Sequence, residues 1–271
     1  MPVGSASLRV GAALAGAGFR RYASYRQATV AGAFTNTVFG VIKLFILLAV
    51  ARQAGGAVAG YDAAALSTYT WAAQGLISAV WLFAWTPIAT RVRTGDVAID
   101  LARPAHPVAV WLAEDLGRAG QAALFRFAVP MVIGGLIFGL RLPTRWPTVP
   151  LFVLSSALAV VISFGCRLLV NLAAFWLLDV RGAVTLYVVA NNVLSGLLVP
   201  VAFFPGWAER AAYMTPFPWM LQVPTDLLVE RRVGAGALGA VAAQAGWAAA
   251  LLALATWTLA RGTRRLVVQG G

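Results

Sequence analysis

The chain has 271 residues, 61% of them hydrophobic and only 11% charged. Soluble domains carry about 25% charged residues, so a water-soluble core is excluded. The formal net charge of +12 does not point to nucleic acid, because the basic residues sit at the ends of apolar stretches and form no single face or stripe.

In chain order the sequence predicts an all-α polytopic membrane protein with six transmembrane helices. An N-terminal interfacial helix precedes them, and both termini are cytoplasmic. Within residues 1–29, Leu8, Ala12, Ala15, Phe19 and Tyr22 recur at helical spacing, while Arg20, Arg21 and Ser24 fall elsewhere on the wheel. This pattern predicts an amphipathic helix lying on the inner leaflet; a disordered tail is the alternative. The stretch is weakly apolar and its basic residues lie behind it, so a cleaved secretory signal is not expected and the first span reads as a signal anchor.

Residues 30–260 form the transmembrane domain, with spans over 30–50, 63–86, 119–140, 150–178, 183–204 and 236–260. Each has the ~20 residues that a core ~30 Å thick requires. The connection 87–118 carries both signs of charge, which topology alone does not require. Gly95 offers a turn, Asp96 an N-cap, and Pro104 and Pro107 a stop, so a short bounded helix is expected, a docking element in outline. A solvated loop is the alternative. The connection 200–235 holds five of the 13 prolines, interleaved with Trp207, Tyr213 and Trp219, and predicts two short helices at the outer surface. Residues 261–271 are expected to form a basic cytoplasmic tail.

Orientation follows from the basic residues. With the N-terminus inside, twelve fall in cytoplasmic segments and six outside, and Lys43, Arg126 and Arg167 lie within spans. Lys43 and Arg126 are expected to snorkel. Arg167 is either near the inner leaflet or buried with a partner. Arginine outnumbers lysine by 20 to 1, as in the codon usage of a GC-rich bacterium, which suggests a bacterial plasma membrane.

Several chemistries lack their residues. The one lysine, Lys43, sits in no P-loop, no Gly-x-Ser-x-Gly occurs, and the one histidine, His106, lies between alanine and proline in a loop. Cys166 is the single cysteine, which leaves no disulfide and no cysteine metal cluster. The chain itself is therefore not expected to be an enzyme or to hold a cofactor. All nine acids are read as lying outside the spans or at their edges, which argues against a proton-coupled carrier.

Polar residues do remain within spans: Thr35, Asn36 and Thr37 in the first, Ser67, Thr68, Tyr69, Thr70 and Gln74 in the second, Asn191, Asn192 and Ser195 in the fifth. Asn36 and Asn191 fall at similar depths, ~9 Å and ~12 Å from the inner ends of their spans. Amides in hydrocarbon need partners. Either they bond between helices, or Thr35, Asn36, Tyr69, Gln74, Asn191, Asn192 and Ser195 line a translocation path.

The stretches FRRYASYRQATVAGAFTNTVFG, RVRTGDVAIDLARP, LSGLLVPVAFFPGW and TRRLVVQGG, in this order and spacing, resemble the six-span permeases of type 2 ATP-binding-cassette (ABC) exporters. The resemblance implies a dimer of permeases, identical or similar, with two cytoplasmic ATPase subunits that bind ATP and magnesium. It implies that residues 91–103 form the coupling helix, with Arg91, Arg93, Gly95, Asp96, Asp100 and Arg103 as ATPase-coupling residues. It implies outer short helices over 204–222, and a pathway lined by spans 1, 2 and 5. Importer permeases of the superfamily carry Glu-Ala-Ala, which is absent here and favours export. A secondary carrier and a non-transporting membrane scaffold are the other readings. Membrane lipids are expected neighbours.

Overall fold

The computed structural model describes residues 3–24, 26–83, 86–177 and 179–265. Helix α1 (Val3–Ala23) is followed by α2 (Arg26–Gln53), which is apolar around most of its circumference. Gly55, Gly56 and Gly60 take positive φ in a two-residue antiparallel hairpin, β1 (Ala57–Val58) with β2 (Tyr61–Asp62). Asp62 then caps α3 (Ala63–Val80), its carboxylate accepting from the Ala65 amide at 2.8 Å. A short α4 (Pro87–Thr94) and α5 (Val97–Leu101) follow.

The next helix is long: α6 (Pro107–Ala122), one π-helical turn (Ala123–Phe127) and α7 (Ala128–Phe138) run on continuously. Helix α8 (Thr148–Leu172) ends in a 3₁₀ turn, α9 (Arg181–Leu194) breaks before Pro200, and α10 (Gly206–Tyr213) and α11 (Gln222–Leu228) are short. Helix α12 (Gly234–Thr263) closes the bundle.

Among the described residues, four helices are long and apolar enough to cross a membrane: Thr29–Gln53, Pro107–Phe138, Thr148–Phe175 and Gly234–Thr263. They match the expected first, third, fourth and sixth spans. The expected second span is α3, 18 residues carrying Ser67, Thr68, Thr70 and Gln74 and buried along most of its length. The expected fifth is α9, whose 14 residues reach only ~21 Å, short of a ~30 Å core.

The third span begins at Pro107, earlier than the expected residue 119. Proline is favoured in the first helical turn, and Val108 and Trp111 immediately enter an apolar cluster. Asp115 therefore lies within a long helix, which corrects its placement in a connection. The short-helix region after α9 also extends past the expected residue 222, to Leu228. The basic stretch from Arg261 continues α12, and residues 266–271 of the expected tail lie outside the described residues.

Close packing follows from small residues, as expected where lipid removes the hydrophobic drive between helices. α1 lies along α6 and α12 along α8. A Cβ on Gly117 would come within 1.9 Å of the Ala15 carbonyl oxygen, and one on Gly18 within 2.3 Å of that of Glu114. Phe19 meets Phe125, and Tyr22 meets Trp81 edge-on. The apolar face expected of α1, as far as Ala15, Phe19 and Tyr22 show it, thus rests on its own bundle; the Leu8 side chain lies outside the described residues. At the centre, Gly134 admits the Trp71 indole and Gly75 admits Phe127 of the π-helical turn.

Candidate functional site

The clearest protruding element is the elbow made by α4 and α5. Pro87 starts α4, and Gly95 ends it with φ +84°, a conformation that favours glycine. Val92 and Val97 sink into a cluster with Trp111, Phe164, Leu168 and Leu259. The Ala89 amide donates to Asn171 Oδ1 of α8 at 3.0 Å. Asp100 is buried, accepting from Arg91 at 2.8 Å with Arg103 at 3.8 Å. Arg91, Asp100 and Arg103 therefore brace the elbow from within.

Asp96 holds the N-cap position of α5 but does not cap it, which corrects the expectation. Its backbone is already helical, at φ −60° and ψ −19°, whereas a capping residue is usually extended. Its carboxylate accepts from the Thr94 hydroxyl at 2.6 Å instead. The exposed tip is Arg93, Gly95, Asp96 and Ile99, with Ile99 59% exposed. Ile99 was not among the expected coupling residues; its signal was an apolar residue off the face set by Val97 and Leu101.

The polar residues expected within spans mostly bond within the chain. Asn36 Nδ2 donates to the Gln74 carbonyl at 3.1 Å, tying α2 to α3. Asn191 Nδ2 donates to the Leu82 carbonyl at 2.8 Å. The Tyr69 hydroxyl contacts the Gly196 carbonyl and Gln222 Oε1, each at 2.8 Å, and the Leu197 amide donates to Ser195 Oγ at 3.3 Å. Thr35 bonds back to the Ala31 carbonyl and is exposed. Tyr69, Gln74, Asn191 and Ser195 are nearly inaccessible. The amide oxygens of Asn191 and Asn192 are buried with no hydrogen-bond partner among the described residues.

Lys43 does not snorkel. Its ammonium donates to the Leu197 carbonyl at 2.7 Å, where α9 has broken, and lies 5.2 Å from the centre of the Tyr69 ring. A cation there satisfies carbonyls left open by the helix end. Arg126 lies against Gly32 of α2. Arg167 is buried with a partner: it donates to Asp115 Oδ2 at 2.7 Å. Asp115 also takes Arg118 at 2.8 Å, and Arg118 in turn donates to the carbonyls of Ser78 and Ala79 at the end of α3 and lies over the Trp81 ring.

At the opposite end of the bundle, Asp226 of α11 is buried among Tyr61, Gln222, Arg231 and Arg232. Burial, with Asp226 beside it, pushes the Tyr61 phenol well above its ordinary range, so it stays a donor. Glu230 accepts from Thr144 and Thr148 and from the amides of Thr144 and Arg145. Desolvation is the largest single influence and raises its pKa, but these four bonds together outweigh it and hold the carboxyl down at about 2.

Among the described residues no three His, Cys, Asp or Glu side chains converge as metal ligands. The chemistry available is that of a rigid elbow, a buried polar seam and ion pairs that fix broken helix ends. A family model for ABC-2 family transporter proteins matches residues 38–270. No curated protein and no solved structure matches. The matched stretch takes in the elbow, the polar seam apart from Thr35 and Asn36, and all but the start of the first long apolar helix, and the chain belongs to the ABC-2 family of transporter proteins.

Proposed function

We propose that the chain is the permease subunit of an ATP-driven exporter, working as a dimer in a bacterial plasma membrane. ATP and magnesium are bound by separate cytoplasmic ATPase subunits. Helices α3 and α9 serve as the second and fifth crossings, giving six spans with both termini in the cytoplasm. The absence of a Glu-Ala-Ala motif favours export over import. The translocation path runs along the faces of α2, α3 and α9, with Thr35, Asn36 and Asn192 the members not enclosed within the chain.

The observation that carries this reading is the braced elbow. Its base is held by Arg91, Asp100 and the Asn171 contact, while its tip presents Arg93, Asp96 and Ile99. A rigid tip with both charge signs and one apolar residue suits docking in a fixed orientation. An ion-coupled carrier would need a titrating acid within a span. Asp115 is such an acid by position, but its two oxygens are taken up by Arg118 and Arg167.

The test is affinity purification from native membranes, followed by ATP hydrolysis in the eluate. The wild-type chain carries an ATPase subunit and hydrolyses ATP. Ile99→Asp loses most of both, on the order of tenfold if a central apolar contact worth ~1.4 kcal/mol is removed, while its membrane yield is unchanged. No ATPase in the wild-type eluate would refute the reading.

A further inference from the structure

A cavity of about 470 Å³ lies between α1, α4, α6 and α8, at the end of the bundle that carries the elbow. Its size is within the range of ligand pockets, ~300–1,000 Å³. Its walls hold four guanidiniums, Arg21, Arg91, Arg118 and Arg167, against two carboxylates, Glu114 and Asp115. Asp115 is shared between Arg118 and Arg167, and Arg91 reaches out of the cavity to Asp100 through a single nitrogen. Arg21 makes no ion pair among the described residues and is exposed. Most of the remaining wall is apolar, from Trp111, Phe164 and Leu168 among others, with Tyr22 and Asn171 its polar members.

We propose that this cavity binds a phosphate monoester or diester carried on a small glycerol-like body. Arg21, Arg91 and Arg167 line one cavity, each with guanidinium nitrogens beyond those in its ion pairs and hydrogen bonds above, and guanidinium matches phosphate oxygens in pairs. Trp111 and Phe164 give the less polar part of the ligand a surface. Tyr22, on the wall beside Arg21, adds a phenol that burial keeps protonated and able to donate. Such a ligand could be the headgroup of an anionic lipid or a free phosphate ester. Binding here is independent of the buried polar seam and of ATPase docking.

The experiment is native mass spectrometry of the delipidated full-length protein. It is titrated with phosphatidylglycerol, with zwitterionic phosphatidylcholine, and with glycerol 3-phosphate. Two variants report on the site. Arg21→Gln removes one exposed guanidinium. Ala17→Trp, on the exposed cavity wall of α1, fills the space and leaves every charge in place.

A lipid site predicts phosphatidylglycerol bound in preference to phosphatidylcholine and weakened by both variants. The loss for Arg21→Gln is about fivefold, the share of one guanidinium near an anionic headgroup. A soluble source predicts glycerol 3-phosphate bound on its own with the same dependence on both variants. The proposal is overturned by equal binding of both lipids with no binding of glycerol 3-phosphate. It is equally overturned by anion binding that neither variant changes.

Discussion

Asp115 shows how a single residue can hold two helix ends. Its two oxygens serve Arg118, on its own helix, and Arg167 of α8, and Arg118 passes the constraint on to the last carbonyls of α3. Removing one partner of a buried ion pair leaves an uncompensated charge, which costs ~3–5 kcal/mol. Asp115→Asn is therefore expected to lower the thermal unfolding midpoint in detergent sharply, and a midpoint within a degree of wild type would rule out this role. Glu230 is the opposite case, an exposed-side carboxyl held by four hydrogen bonds. Its folded pKa of about 2 lies below the ordinary 4.5. The stabilisation is therefore complete above pH about 4.5 and is lost as pH falls towards about 2. Glu230→Gln should flatten the acid limb of the unfolding midpoint against pH over that window, and an unchanged limb would show that the contact carries no linkage. From the sequence, Arg167 is either near the inner leaflet or buried with a partner, and nothing local decides between them. The partner was not legible, because Asp115 was placed in a connection, and nothing local shows that the helix begins at Pro107.

At the scale of elements, α1 was legible from its period, since Ala15, Phe19 and Tyr22 share one face. What that face meets was not, because the α1–α6 contact depends on Gly18 and Gly117, far apart in sequence and alike in composition to the chain's many other glycines. A Cβ at Gly117 would strike backbone, which cannot swing aside as a side chain can. Gly117→Val is expected to lift α1 from α6 at a cost of about 1–3 kcal/mol. A cysteine at Ala15, in a Cys166→Ser background, should then become reactive to a polar thiol reagent, and unchanged reactivity would contradict the contact. The elbow divides in the same way. Gly95 as its turn was readable from composition. The inward turn of Asp100 and the outward turn of Ile99 were not, because both depend on how α5 rotates once Val97 enters the cluster beneath it. Lys43 was misread as snorkelling because the sequence does not reveal that α9 breaks beside it and leaves carbonyls open.

For the whole molecule, hydropathy and charge gave most of what could be read. Membership of the ABC-2 family and the four long apolar helices agree with a multi-pass membrane protein. Helices α3 and α9, the proposed further crossings, are weak in a hydropathy profile because α3 carries Ser67, Thr68, Thr70 and Gln74 and α9 is only 14 residues long. Energy entering at the end bearing α1, α4 and α5, as proposed, requires that end to face the cytoplasm. Cysteine labelling in whole cells, in a Cys166→Ser background, tests this most directly. Cysteines at Ile99 and Arg264 should resist a membrane-impermeant reagent until the cells are opened, while cysteines at Arg145 and Trp207 should label at once. Labelling of Ile99 from outside intact cells would contradict the account.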